Sequence, residues 1–355
     1  MLILSMCGEA DSEMQYVILI LGYVLSFIMA WCLGANDASN PTETAVGSGV
    51  ITIRKALILF SIFTALGALI QGRMVMVTLD RGIVKEIDVL SATTAVVSAS
   101  IWITTASYLG LPISTTHSII GSVLGTGLAM IAADKLEPYS LKLNVIVKII
   151  ISWITSPLAG IGLTIVLNRA ISVVLNKFKQ DVVDKILKYG LIVSLCYSAY
   201  AFGANDVGNA TGVYITLTSR IFGLPDDKTM ILLSAIGAIG IALGGLTIGK
   251  RVIVRVAYRI TRLNPVTGFT AELSNALIVW LYTTIPYILV GYGMPISTTY
   301  VSVATVIGSG LSLNGWRSIN WREVLIIMLS WIITLPATIA LGLSIRYVLF
   351  LTTGF

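Results

Sequence analysis

The sequence has little charge, little cysteine and a single histidine. Charged residues make up 11% of the 355 positions, apolar residues make up 56%, and the mean hydropathy is +0.92. Soluble domains carry about 25% charged residues, so this composition excludes a soluble fold. The three cysteines are widely spaced and lie mostly in apolar stretches, which argues against a disulfide framework or a zinc site. The N-terminal stretch lacks a basic region, which argues against a cleaved signal peptide.

Long apolar runs occur along the whole chain instead. They measure about 17 to 25 residues, the length that a helix needs to cross roughly 30 Å of hydrocarbon. We therefore expect an all-α, multi-pass protein of the cell inner membrane, in contact with lipid. The net charge of +6 comes mostly from basic residues in short loops beside these runs, where they report topology. No nucleic-acid partner is expected.

Two motifs occur twice, in the same order. Residues 34–40 read Gly-Ala-Asn-Asp-Ala-Ser-Asn, and residues 203–209 read Gly-Ala-Asn-Asp-Val-Gly-Asn. We call these the first and second signatures. Residues 112–117 read Pro-Ile-Ser-Thr-Thr-His and residues 295–300 read Pro-Ile-Ser-Thr-Thr-Tyr, the first and second hydroxyl motifs. Asn and Gly favour unwound backbone, so each signature is predicted to interrupt a helix, and each hydroxyl motif is predicted to begin one.

The duplication predicts two membrane repeats, residues 1–168 and 189–355. Residues 169–188, in which apolar and lysine positions follow helical spacing, are predicted to form an amphipathic cytoplasmic linker helix on the membrane surface. The charge distribution fits five crossings in each half, which inverts the second half relative to the first. The predicted fold is an inverted-topology repeat of two five-crossing halves, with discontinuous helices meeting at the midplane.

Four acids remain at the predicted membrane depth: Asp37, Glu43, Asp206 and Glu272. A charged carboxylate there is expensive, and a capping role alone could be filled by Asn or Ser, so these acids indicate function. Asp37 and Asp206 occupy equivalent positions in the two signatures, which pseudo-symmetry would bring to one cavity. Carboxylate, amide and carbonyl oxygens suit a hard cation such as Na⁺.

The hydroxyl motifs suit a different ligand. Three consecutive hydroxyls at a helix N-terminus, with exposed backbone amides and the positive end of the dipole, favour a tetrahedral oxyanion. The residues concerned are Ser114, Thr115, Thr116, Ser297, Thr298 and Thr299. Two such motifs facing each other could surround one anion.

None of the four motifs contains Lys or Arg. A bound anion beside two aspartates would leave like charges together, and each pair at ~4 Å costs about 4 kcal/mol at an effective dielectric near 20. Cations must therefore enter with the anion, which predicts a symporter driven by Na⁺ or H⁺. A carboxylate can accept a hydrogen bond from protonated phosphate but not from sulfate, which favours phosphate.

Three other polar residues have open roles. His117 adjoins the first hydroxyl motif and is a candidate for ion coupling or for a structural hydrogen bond; Tyr300 holds the matching place. Glu43 and Glu272 have no acidic counterparts in the other half. Each is a candidate for ion binding or gating, or for simple exposure to a water-filled vestibule.

At these motifs the sequence resembles the inorganic phosphate transporter (PiT) family over nearly the whole chain. The resemblance implies a dimeric, inverted-repeat phosphate symporter with no resident cofactor, coupled to Na⁺ in many members and to H⁺ in others, with close relatives that carry sulfate. It also implies site residues. These are Asn36, Asp37, Asn205 and Asp206 for the ion, and the six motif hydroxyls with Asn40 and Asn209 for phosphate.

The sequence departs from the family at some positions, which leaves the coupling ion open. The family usually has Gly at the position of Glu43 and often His at that of Tyr300. Other classes also remain: an anion channel would not need acids in both repeats, and an intramembrane aspartyl hydrolase would need a nucleophile or metal motif that is absent from the sequence. Uphill phosphate flux driven by an ion gradient distinguishes a symporter from both.

Overall fold

A computed structural model describes residues 2–79, 88–136, 143–222, 226–291, 293–294 and 296–354. The first helices are α1 (Leu2–Asp37), α2 (Glu43–Gly47), α3 (Ile53–Gln71), α4 (Arg73–Leu79), α5 (Val89–Tyr108), α6 (Thr115–Ala132) and α7 (Leu143–Leu175). The others are α8 (Gln180–Phe222), α9 (Asp227–Gly244), α10 (Lys250–Arg259), α11 (Pro265–Val290), α12 (Thr298–Asn314) and α13 (Trp321–Thr353). Apart from one isolated bridge, the described residues form only helices, turns and loops, which confirms the predicted all-α class. Pro295 of the second hydroxyl motif lies outside the described residues.

The helices match a multi-pass membrane protein. Within the described residues, nine segments are long and apolar enough to cross a membrane, and α12, with 17 residues, is shorter than any of them. Many large apolar side chains face outward, including Leu289, which is 75% exposed, as expected for a surface in contact with lipid. The multi-pass architecture is confirmed, whereas the five crossings per half and their inverted orientation stay predictions.

The first signature interrupts a helix, as predicted. Helix α1 ends at Asp37, a turn follows, and the short helix α2 begins at Glu43. The turn is closed by backbone hydrogen bonds from Asn40 to Asp37 at 3.0 Å and from Thr42 to Ser39 at 2.9 Å. Pro41 explains the break, because proline lacks an amide donor and disfavours helical backbone at the residue before it.

The break predicted at the second signature is absent. Residues 203–209 lie inside α8, which continues without interruption from Gln180 to Phe222. Ala210 stands where the first signature is followed by Pro41, so the backbone amide needed to continue the helix is present. The asparagine side chains alone do not unwind it. The two signatures are therefore alike in sequence but different in backbone.

The single linker helix predicted over residues 169–188 is also wrong. Helix α7 runs to Leu175, a turn follows, and α8 begins at Gln180. The apolar positions Leu175, Val183 and Leu187 are buried and pack with each other and with Phe269 of α11. The buried part of the amphipathic pattern thus packs between two long helices and α11, and the location of the segment on the membrane surface stays a prediction. The division of the chain into repeats at residues 168 and 189 stays a prediction.

Backbone contacts at glycines join the N-terminal and C-terminal parts. A Cβ on Gly34 of α1 would overlap the carbonyl oxygen of Ile241 in α9. At the matching place in the second signature, a Cβ on Gly203 of α8 would overlap the carbonyl oxygen of Thr64 in α3. The reverse contacts are those of Gly67 with Tyr200 and of Gly244 with Trp31. Each signature helix is therefore packed directly against a helix of the other part.

We expect Gly34→Ala to destabilise the protein, because neither the added methyl group nor the Ile241 carbonyl can move without shifting a helix. Overpacking of this kind costs about 1–3 kcal/mol. Thermal unfolding in detergent would measure it. Gly162→Ala in α7 is the matched control, since a Cβ there meets open space. Equal melting temperatures for the two variants would contradict the close α1–α9 contact.

Candidate functional site

Both hydroxyl motifs begin helices, as predicted. Ser114 is the N-cap of α6, and its hydroxyl accepts a hydrogen bond from the His117 amide at 3.3 Å. Ser297 caps α12 in the same way and accepts from the Tyr300 amide at 3.4 Å. The positive ends of two helix dipoles therefore lie at the motifs. The hydroxyls of the two serines cap the helices, while the threonine hydroxyls of both motifs contact residues of the signatures.

Asn36 fixes the turn that precedes the first hydroxyl motif. Its side-chain amide donates to the Ser107 hydroxyl and to the carbonyl oxygen of Leu111, both at 3.0 Å. Its side-chain oxygen accepts from the amide of Ile113, also at 3.0 Å. The three bonds connect α1 to the end of α5 and to the α5–α6 turn. Ion binding by the Asn36 side chain, the role that the resemblance implies, stays a prediction.

Asn205 makes the matching bonds in the second half. It donates to the Thr283 hydroxyl at 2.8 Å and to the Met294 carbonyl oxygen at 3.1 Å, and it accepts from the Ile296 amide at 3.5 Å. Met294 and Ile296 correspond in sequence to Leu111 and Ile113 of the first half. The two signatures therefore hold the two hydroxyl motifs by the same set of contacts.

Asp37 lies where the two motifs meet. Its carboxylate accepts hydrogen bonds from Thr115 at 2.6 Å and from Thr299 at 3.1 Å, one from each hydroxyl motif. The Thr299 hydroxyl also lies 3.0 Å from the carbonyl oxygen of Ile113. The structure thus brings one signature acid and both hydroxyl motifs into a single cluster.

The last asparagine of each signature donates hydrogen bonds to the other half of the chain. Asn40 donates to the hydroxyls of Thr298 at 3.1 Å and Thr299 at 3.2 Å. In the other direction, Asn209 donates to the Thr116 hydroxyl at 3.2 Å. Each signature therefore contacts the hydroxyl motif of the opposite half, which sequence spacing alone does not reveal.

Asp206 completes the cluster. It is fully buried and accepts at 3.0 Å from Asn209, the residue that also donates to Thr116 of the first hydroxyl motif. Its Oδ2 atom has no hydrogen-bond partner among the described residues. The residues predicted to bind phosphate or the ion are all buried, none more than 6% exposed. Salt bridges within the described part of the chain involve other acids, namely Asp88, Asp227 and Glu323.

Glu43 and Glu272 lie in a second buried cluster, although neither has an acidic counterpart in the other half. Both are fully buried. The hydroxyl of Thr44, the residue after Glu43, donates to the Glu272 carboxylate, and the Ser302 hydroxyl donates to the Glu43 carboxylate. Thr44 and Ser302 were not singled out from the sequence, because isolated hydroxyls in apolar helices carry no signal before their partners are known.

His117 lies in an aromatic cluster beside the site. Its ring is 3.3 Å from that of Trp153 and 4.8 Å from that of Tyr300, between ring centroids and edge-on in both cases. Trp331 stacks on Tyr300 at 3.9 Å. Neither ring nitrogen of His117 has a hydrogen-bond partner in the described structure. The structural hydrogen bond considered for His117 is therefore not observed, and its role in ion coupling stays untested.

The polar groups of this site are of the kinds that bind small, hard cations and oxyanions. The ligands on offer are carboxylate, amide, hydroxyl and carbonyl oxygens, with backbone amides at two helix starts. No group of three or more His, Cys, Asp or Glu residues that could hold a metal ion occurs in the described parts of the chain.

Comparison with known proteins assigns this chain to a family. Residues 33–342 match the Phosphate transporter family. The chain belongs to that family. A relative from Pyrococcus furiosus, provisionally named a phosphate permease, is 31% identical to this chain. The alignment covers 90% of this chain and 93% of the relative. A relative of the same provisional name from Haemophilus influenzae is 28% identical over 92% and 95% of the two chains.

A solved structure gives the same result for the transporter's fold. The protein described as the sodium-dependent phosphate transporter superposes with a TM-score of 0.82 and 29% identity. The similarity covers 94% of this chain and 99% of the other. The resemblance to phosphate transporters noted in the sequence is confirmed over nearly the whole chain.

We expect Asn205→Ala to destabilise the transporter, because three hydrogen bonds would be lost, one to Thr283 of α11 and two to the residues around Pro295. Unsatisfied buried groups cost about 1–3 kcal/mol each. Thermal unfolding in detergent would report this loss. Asn176→Ala, at an exposed turn, is the control. An Asn205→Ala protein as stable as this control would show that the contacts contribute nothing.

Proposed function

We propose that this transporter imports inorganic phosphate together with Na⁺ across the cell inner membrane, as a secondary active symporter. Asp37 and Asp206 would bind the cation, with Asn36 and Asn205 beside them. The hydroxyls of both motifs, with Asn40 and Asn209, would bind phosphate. The scheme needs no resident cofactor. A homodimer, implied by the family resemblance, is part of the proposal.

The main support for the proposal is the pair of hydrogen bonds that Asp37 accepts from the two hydroxyl motifs. One carboxylate accepts hydrogen bonds from both hydroxyl motifs, at 2.6 Å and 3.1 Å, inside a fully buried cluster. Hydroxyls that donate to a carboxylate can donate equally to a phosphate oxygen. Phosphate entering this cluster would therefore compete with Asp37 for the threonine hydroxyls. This competition links anion binding to the charge of the Asp37 carboxylate.

Electrostatics supports coupling to a cation. Phosphate beside Asp37 and Asp206 would place several negative charges in a space shielded from water, and at ~4 Å each pair costs about 4 kcal/mol even at an effective dielectric near 20. The helix dipoles of α6 and α12 offset part of this cost, each with roughly half a positive charge. Cations that bind together with phosphate would offset the rest of this electrostatic cost.

Sodium is the cation that we propose, for two reasons. The unpartnered Oδ2 of Asp206 lies in an oxygen-rich cluster of the kind that hard cations prefer. The similar solved structure is described as a sodium-dependent phosphate transporter. Replacing Na⁺ with choline at fixed pH would test this directly in reconstituted vesicles. Loss of uptake supports Na⁺ coupling, whereas full uptake under a proton gradient would support H⁺ coupling instead.

We expect Asp37→Asn and Asp206→Asn each to reduce Na⁺-driven uptake of labelled phosphate by about 100-fold or more, since an amide cannot neutralise a bound cation. Uptake is compared at equal amounts of reconstituted, monodisperse protein.

The control for these variants is Asp184→Asn in α8, which makes the same chemical change at an exposed position. It should transport as the wild type does. Near wild-type uptake in either signature variant would refute the assignment of the acids.

We expect Thr116→Ala and Thr299→Ala to weaken apparent phosphate affinity by about 5- to 100-fold, the effect of losing a hydrogen bond to a charged ligand. The concentration of phosphate giving half-maximal uptake at saturating Na⁺ measures this. Thr105→Ala, on the exposed side of α5, is the matched control. Unchanged affinity in both motif variants would remove the hydroxyls from the phosphate site.

A further inference from the structure

A basic cavity lies between α10 and the end of α5, away from the signatures. Helix α10 is amphipathic, and its apolar face is buried in the protein. Its other face carries four cations, namely Lys250, Arg251, Arg255 and Arg259. Residues four apart lie on the same face of a helix. The helix therefore presents a row of three guanidinium groups, with the Lys250 ammonium beside it.

These cations line one cavity together with the end of α5. The cavity has a volume of about 590 Å³, and Tyr108 and Leu109 form its other wall. Arg251 donates to the Tyr108 carbonyl oxygen at 2.9 Å, and its guanidinium lies 4.8 Å from the centroid of the Tyr108 ring. Arg255 donates to the Leu109 carbonyl oxygen at 3.2 Å. The two walls are therefore held together by contacts of the protein itself.

Most of the positive charge in this cavity is uncompensated. Arg255 pairs with Glu323 in the first turn of α13. Within the described ranges of the chain, no salt bridge reaches Lys250, Arg251 or Arg259. Like charges around one cavity repel each other, and an anion between them would remove that repulsion. Guanidinium groups suit phosphate in particular, because their N–H donors can bind two of its oxygen atoms at once.

The wall opposite the cations is largely apolar and faces outward. Leu109 is 64% exposed, and Tyr108 is 53% exposed. Leu246, about one turn before Lys250 in the helical segment that leads to α10, is also exposed. Exposed leucines on apolar helices are expected where a protein contacts lipid. A free anion gains nothing from these side chains, whereas a phospholipid carries its phosphate and its hydrocarbon in one molecule.

Two tryptophans indicate that this part of the structure lies at a membrane interface. Trp316 and Trp321 are both exposed, and their rings stack with centroids 4.7 Å apart. The segment between them is joined to the end of α10, because the Asn320 amide donates to the Ile260 carbonyl oxygen at 2.8 Å. Tryptophan is enriched where a membrane meets water, and basic pockets between helices at this depth bind acidic lipid headgroups.

We propose that this cavity binds the phosphate group of an anionic phospholipid. Lys250, Arg251 and Arg259 would contact the phosphate, and Tyr108 and Leu109 would contact the glycerol and the first part of the acyl chains. The positive-inside rule predicts the cytoplasmic leaflet for this lipid. The site shares no residue with those proposed for the transported phosphate and Na⁺.

The cavity adjoins the turn that leads to the first hydroxyl motif. Gly110 follows Leu109 with a left-handed φ of 67°, and a Cβ there would lie 3.1 Å from the Arg251 carbonyl oxygen. The next residue, Leu111, accepts a hydrogen bond from Asn36 at 3.0 Å. A lipid bound against Leu109 would therefore stabilise the same turn that Asn36 positions.

Native mass spectrometry of the detergent-purified protein tests the proposal. The anionic probe is dioleoylphosphatidylglycerol, and the zwitterionic probe is dioleoylphosphatidylcholine. We expect the wild type to retain about one phosphatidylglycerol per chain in preference to phosphatidylcholine. Lys250→Gln/Arg259→Gln should weaken phosphatidylglycerol binding about 30-fold, because two headgroup contacts are lost. Arg251 and Arg255, which hold the cavity walls together, stay in place in this variant.

Arg54→Gln/Lys55→Gln is the matched control, because it removes two exposed cations from the start of α3, outside the cavity. It should bind phosphatidylglycerol as the wild type does. If the double cavity variant is not monodisperse, Arg259→Gln alone should weaken binding about 5-fold.

Two results would overturn the lipid site. One is equal phosphatidylglycerol binding by the cavity variant and the control, and the other is equal binding of both lipids by the wild type. A third result would assign the cavity to free phosphate instead of lipid. In that case ³²P-labelled inorganic phosphate would bind the wild type without Na⁺, and the cavity variant would lose this binding while its lipid binding stays unchanged.

Discussion

The hydrogen bonds to Asp37 are the interaction on which the rest of the site depends. A buried carboxylate is tolerated only when donors or cations compensate the lost hydration. Here the donors come from Thr115 and Thr299, which lie far apart in sequence and begin two different helices. Satisfying one acid therefore requires both hydroxyl motifs to be in place at once. The contacts of Asn36 and Asn205 position those motifs.

The two halves of the chain share one set of contacts and differ in others. The asparagine bonds, the glycine contacts and the helix starts occur twice. Only the first signature unwinds, and only there does an acid follow, at Glu43. The turn at the first signature is followed by Glu43 and Thr44, whose hydroxyl donates to Glu272, whereas the second signature continues as helix α8, with Gly212 at the position that matches Glu43. The contacts that occur twice lie at the signatures and the hydroxyl motifs, whereas Glu43 and Glu272 each occur in one half only.

Local chemistry was enough to predict much of this. The apolar runs, the break at the first signature and the helix starts at Ser114 and Ser297 follow from composition, proline placement and capping. The intact second signature was missed because the motif similarity outweighed one substitution, Ala210 in place of Pro41. The linker was misread because helical spacing over residues 169–188 does not reveal the turn between α7 and α8.

The partners of the polar residues were harder to predict than the residues themselves. Asp37, Asp206 and the hydroxyls stand out as costly groups in an apolar chain. That Asn40 donates to Thr298 of the opposite half, or that Thr44 donates to Glu272, depends on how the helices pack in three dimensions. Thr44 and Ser302 gave no signal for the same reason: their partners, Glu272 and Glu43, are distant in sequence.

The crossing of contacts between the halves has a consequence for biogenesis. A chain is inserted into the membrane from its N-terminus as it is synthesised, so Asp37 arrives long before the ribosome has made Thr299. Until the last helices arrive, the acid lacks one of its donors, and α1 lacks the surface of α9 that receives Gly34. The carboxylate of Asp37 therefore has both of its threonine donors only late in synthesis, once Thr299 has been added to the chain.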